Sequence, residues 1–193
     1  RRPDSRWKYI MGRTKTSASS WSVQLRSLLN LRVSEAAQGS KSTALRIAVL
    51  GIGNEFNGDD AAGVLVVRAL RKIIGQTDHL LLIEGGTAPE NTTATLRRFH
   101  PDVVLMIDSA EMGEEPGCVH LLAVEALDGL SASTHTLPPS VLAAFLQQEL
   151  GCRVLLLGIQ PQTLEFDAPL SEPVRRAVSQ IKRGLRQILS YAP

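Results

Sequence analysis

From residue 45 onward the sequence predicts an α/β domain built on a mostly parallel sheet of about five strands, covered by helices on both faces. Two observations carry this expectation. Short apolar runs alternate with segments of helical period, the pattern of strands buried on both sides and separated by packed helices. Glycine-rich, polar turns follow the apolar runs, and open α/β sheets place their sites at the carboxyl ends of strands.

The elements follow in order. Apolar runs predict strands at 46–51, 79–84, 103–108, 119–124 and 153–159. Ala62, Val66, Ala69, Leu70 and Ile73 recur at helical spacing after Asp59 and Asp60, and Val141, Leu142, Phe145, Leu146 and Leu150 do so after Pro138 and Pro139. Residues 90–98 give a weaker helical pattern. The last helix is the clearest, with Val174, Val178, Ile181, Leu185 and Ile188 on one stripe, Ser171 in cap position and Pro173 in the first turn.

The chain has 193 residues, enough for one domain at the usual size of roughly 100–200 residues. Its formal net charge of +2 is unevenly spread. Residues 1–44 hold nine Lys and Arg against two acids (+7), which leaves twelve against seventeen (−5) in 45–193. Residues 1–44 are therefore expected to be a basic, disordered extension, and 45–193 the functional domain. Leu25, Leu28, Leu29 and Val33 could add a short amphipathic turn or two there. The acidic remainder offers no continuation of a positive surface, so nucleic acid is not expected as a partner. No apolar stretch approaches the roughly 20 residues needed to span a bilayer. Cys118 and Cys152 lack metal-ligand spacing and read as buried, reduced thiols. The expected location is the cytoplasm and the expected state a monomer.

Three predicted strand ends are chemically loaded. Gly51-Ile52-Gly53-Asn54 opens like a dinucleotide loop, but the third glycine is replaced by Phe56, and Asp59 and Asp60 stand where a pyrophosphate would sit. A nucleotide-binding oxidoreductase is disfavoured on that ground. One acid suffices to cap a helix, and a second raises local repulsion that a bound cation would relieve. Asp108 closes the strongest apolar run, and His135 lies in a polar stretch just ahead of a helix. Two carboxylates and one imidazole suit borderline divalent ions such as Ni²⁺ or Zn²⁺ and leave positions open for a substrate ligand. No G-x-S-x-G elbow or Cys/His signature supports a covalent acyl-enzyme.

Five ordered stretches resemble the hydrogenase maturation protease family, and within it the branch acting on formate-hydrogenlyase-type or energy-converting hydrogenases. They are Gly51 to Asp60 (GIGNEFNGDD), Gly85 to Asn91 (GGTAPEN), Ile107 to Gly113 (IDSAEMG), Ser133 to Pro138 (STHTLP) and Gly158 to Pro161 (GIQP). The resemblance implies a three-layer α/β/α endopeptidase of aspartic type. It would remove the C-terminal extension of a [NiFe]-hydrogenase large-subunit precursor after nickel insertion. The metal contacts carry over onto Asp60, Asp108 and His135, which would also be the catalytic groups, with either Asp60 or Asp108 activating water. Gly53, Asn54, Asp59, Gly85 and Gly86 are expected to bind substrate. The nickel would be presented by the precursor, with no tightly held cofactor in the protease. A non-catalytic nickel escort would use the same three ligands and leave the precursor's length unchanged.

Overall fold

The computed structural model describes residues 20–38, 45–123 and 138–190. In chain order these form α1 (Trp21–Gln38), β1 (Ile47–Ile52), a 3-10 turn (Gly58–Ala61), α2 (Ala62–Ile73), β2 (Leu80–Gly86), a second 3-10 turn (Pro89–Thr92), α3 (Thr93–Phe99), β3 (Val103–Ser109), β4 (Val119–Ala123), α4 (Pro139–Leu150), β5 (Arg153–Ile159) and α5 (Glu172–Leu189). The five-stranded sheet runs in the order β2-β1-β3-β5-β4. Four strands are parallel, and β4 closes one edge antiparallel to β5.

Successive side chains of each strand feed two separate cores, which makes the molecule three-layered. On one face Val49, Leu105 and Leu157 meet Val66 and Leu70 of α2, Ile181 and Leu185 of α5, and Leu25, Leu28 and Leu29 of α1. On the other, Leu50, Met106 and Leu156 meet Leu96 of α3 and Leu142 and Leu146 of α4. Burial on both faces explains why β1 and β3 read as continuous apolar runs rather than alternating ones.

Several expectations need correction. Residues 20–38 do not belong to a disordered extension: α1 buries Leu25, Leu28 and Leu29 in the same core as α2 and α5. Trp21 lies over Gly184 of α5, where a Cβ would come within 2.7 Å of the indole ring. The basic charge of this stretch concealed three core leucines at helical spacing. β2 runs two residues past Glu84, so Gly85 and Gly86 end a strand rather than begin a loop. Ser171 occupies the N-cap position of α5 but makes no side-chain cap bond. Its hydroxyl is committed elsewhere, as described below. Cys152 is buried and Cys118 only partly so, and neither is in a disulfide.

Candidate active site

The strand order fixes where the site must be. The connection leaving β1 runs to β2 on one side and the connection leaving β3 runs toward β4 on the other, so the carboxyl ends of β1 and β3 part around a crevice. Ligands of open α/β sheets bind at such a switch point. Asp60 sits in the turn after β1, and Asp108 is the penultimate residue of β3.

Glycines press these two elements together. A Cβ on Gly63, in the first turn of α2, would lie 2.1 Å from the carbonyl oxygen of Ile107 and 2.5 Å from that of Ile52. A Cβ on Gly51 would lie 2.4 Å from the Gly63 carbonyl oxygen. Only glycine lets the helix start rest directly on the two strand ends and bring Asp60 to Asp108. Gly53, at φ +130°, faces the Asp60 carbonyl so closely that no side chain fits.

Asp60 and Asp108 are each only 8 % exposed. Asp60 Oδ1 accepts the Ser109 hydroxyl at 2.7 Å and Oδ2 accepts the Asn54 amide at 2.8 Å. Each oxygen keeps a further lone pair. Asp108 is pushed up to about 8, first by burial and then by the neighbouring Asp60 charge, against a partial offset from the Ser109 backbone amide. Near neutral pH this pair therefore holds a proton on Asp108. Among the described residues no group of three or more His, Cys, Asp or Glu is placed to hold a metal ion. His135 lies outside the described residues.

Asp59 supports the turn that bears Asp60. It is fully buried, and its oxygens accept the amides of Gln162, Thr163 and Ser171 and the Ser171 hydroxyl at 2.7–3.1 Å. It faces the loop before α5 and anchors it. Packing around Gly85 is tight, since a Cβ there would lie 2.8 Å from Leu50 Cδ1 and 3.2 Å from the Gly51 carbonyl oxygen. Gly86 accepts the Gly53 amide at 3.0 Å, and a Cβ on it would meet nothing within 4 Å, leaving that end of β2 open toward the crevice.

Sequence reasoning missed three supporting residues. Ser109, inside the motif that holds Asp108, and Gly63, inside a helical pattern, carry no signal of a role in the sequence. Gln160, inside a matching motif but given no role, is buried, and its Oε1 accepts the Met112 and Glu114 amides at 2.7 and 3.3 Å, shaping the loop after Asp108. A polar residue ending the apolar strand β5 was the signal available.

Comparison with known proteins settles the family. The family model described as "HycI: Hydrogenase maturation protease" matches residues 64–187. The chain belongs to the hydrogenase maturation protease family. A Methanocaldococcus jannaschii protein assigned to it is 34% identical over 150 residues, 75% of this chain and 88% of that protein. The hydrogenase 3 maturation protease of Escherichia coli is 31% identical over 138 residues, 71% of this chain and 86% of the other. The crystal structure of a [NiFe] hydrogenase maturation protease from Thermococcus kodakarensis superimposes with a TM-score of 0.70 at 30% identity, covering 77% of this chain and 95% of that one. The three-layer fold and the proteolytic class of this hydrogenase maturation protease thus agree with the expectation from its motifs.

Proposed function

We propose that this protease removes the C-terminal extension of a [NiFe]-hydrogenase large-subunit precursor once nickel has been inserted, reading the metal through Asp60, Asp108 and His135. The observation that carries this reading is the buried acid pair. The burial of Asp108 and the charge of Asp60 together disfavour ionisation of Asp108. A dication delivered by the precursor would relieve that repulsion. The nickel is part of the substrate here, held mainly by the precursor's own thiolates, and the protease completes its coordination. Hard carboxylates with one imidazole bind free Ni²⁺ modestly, which suits a site that recognises a loaded centre and then lets it go.

The chemistry is hydrolysis of one peptide bond. A water oxygen adds to the scissile carbonyl carbon, the C–N bond breaks, and the water's protons end on the new carboxyl group and the departing amine. One carboxylate of the pair takes a proton from the water, and the substrate's metal orients the peptide and polarises its carbonyl. On this reading the enzyme is of aspartic type, with two acids sharing the proton traffic. Ser109 and the Asn54 amide hold Asp60 in one orientation, and Gly86 offers backbone at the crevice for the peptide. We assign the protease to the cytoplasm as a monomer, working without a resident metal.

The test is incubation of the full chain with nickel-loaded precursor, with mass spectrometry of the precursor's C-terminus. Release of the terminal peptide from loaded but not nickel-free precursor is expected. Equal cleavage of both would remove the metal-reading role, and an unshortened, bound precursor would favour an escort instead.

A further inference from the structure

Two phenyl rings stand in water beside the acid site. Phe56 is 66% exposed and Phe166 78% exposed, and their rings stack with centroids 6.4 Å apart. The contact between them hides little of either ring, so folding gains little from the pair. Yet the loops that carry them are firmly built. Asp167 donates its amide to the Phe56 carbonyl at 2.6 Å, and Asp59 donates its amide to the Thr163 carbonyl at 3.0 Å. The four bonds accepted by the Asp59 carboxylate then tie residues 162–171 to the turn that bears Asp60. The Phe56 amide bonds Asn54 Oδ1, and the Asn54 amide bonds Asp60 Oδ2. The ring pair and the acid are thus parts of one hydrogen-bonded loop assembly.

We infer that Phe56 and Phe166 form a docking platform on which the large-subunit precursor seats an apolar side chain, with a basic neighbour facing Glu165 and Asp167. This rests on the proteolytic reading above. The occupant follows from continuity. A protein partner that reaches Asp60 covers a patch of roughly 800 Å², and Phe56 lies on the same short loop. Rigid aromatic side chains are the usual anchors of such interfaces, because little conformational freedom is lost on binding. The exposed acids flanking Phe166 select a cationic surround.

The experiment measures both binding and cleavage of nickel-loaded precursor by the full chain and its variants. Phe166→Ala and Phe56→Ala are expected to weaken precursor binding and raise KM by about tenfold or more, with kcat held within a few-fold and Tm unchanged. Glu165→Gln with Asp167→Asn is expected to raise KM at low salt and to flatten its salt dependence. Unchanged binding and KM in the Phe variants would overturn the platform while leaving proteolysis standing. A lowered Tm would show that the rings serve this chain's own packing, and a concentration-dependent dimer lost on substitution, with KM unchanged, would assign the surface to a second copy. Failure of the wild-type chain to shorten the precursor would overturn the proteolytic reading, and the binding comparison would still decide the platform.

Discussion

The hydroxyl of Ser109, at the end of β3, donates a 2.7 Å hydrogen bond to Oδ1 of Asp60, in the turn after β1. This bond joins the two strand ends that form the crevice and fixes which lone pairs of Asp60 face it. Residues that orient a metal-contacting group commonly matter by ten- to a hundredfold in activity. Ser109→Ala is expected to slow single-turnover cleavage of nickel-loaded precursor roughly tenfold, with Tm moved by only a few degrees. An unchanged rate would show that Asp60 needs no such support.

The adjacent acids are expected to separate cleanly into one stability residue and one activity residue. Asp59→Ala leaves three part-buried backbone amides without their acceptor, at up to about 1–3 kcal/mol for a single unsatisfied group. Thermal unfolding should fall by about 6 °C or more. Asp60→Asn should abolish cleavage and leave Tm near the wild-type value, because relief of repulsion with Asp108 offsets the weakened bonds. Circular dichroism melts and a cleavage assay on both proteins check the split.

Asp108 makes a prediction with a definite sign. An acid whose folded pKa lies above its unfolded value binds more protons when folded, so stability falls as pH rises between the two values. For Asp108 the window runs from the ordinary aspartate value near ~4 to about 8. Asp108→Asn cannot ionise and escapes this loss. Its Tm should exceed that of the wild type by an amount that grows between pH 5 and pH 8 and levels off above. A wild type that gains stability over that range relative to the variant would contradict the assignment.

The place of α1 in the core can be weighed by one substitution. Leu28 is 2% exposed among Leu25, Ile181 and their neighbours. Leu28→Ala is expected to destabilise by about 2–5 kcal/mol, a Tm loss of roughly 4 °C or more. A melting point equal to that of the wild type would return this helix to the status of an appendage.

How much of this was legible depended on whether the information is local. The five strands were read to within two residues because the inner strands β1, β3 and β5, buried on both faces, leave uninterrupted apolar runs, and the edge strands β2 and β4 keep shorter apolar runs of their own. α5 was equally clear, its stripe from Val174 to Ile188 being a strict helical period. Asp60 and Asp108 were picked out as candidates because the one lies in the motif that follows the first predicted strand and the other closes the third. Ser109, Gly63 and Gln160 escaped because serine, glycine and glutamine mean little until their neighbours are known. α1 was read only as a turn or two, because a basic, serine-rich composition outweighed three leucines whose partners lie far along the chain.

The sequence by itself determined the periodicities, hence the α/β class, and the motifs, hence the family. The motif match singled out Asp60 over Asp59, but the physical difference between the two acids exists only in the tertiary structure. Asp59 and Asp60 are chemically identical and adjacent, but successive residues of a tight helical turn diverge by roughly 100° or more. One is turned into the loop before α5, where four donors claim it, and the other toward Asp108. That distinction depends on partners about 50 and 100 residues away in sequence, and chain folding alone brings them together.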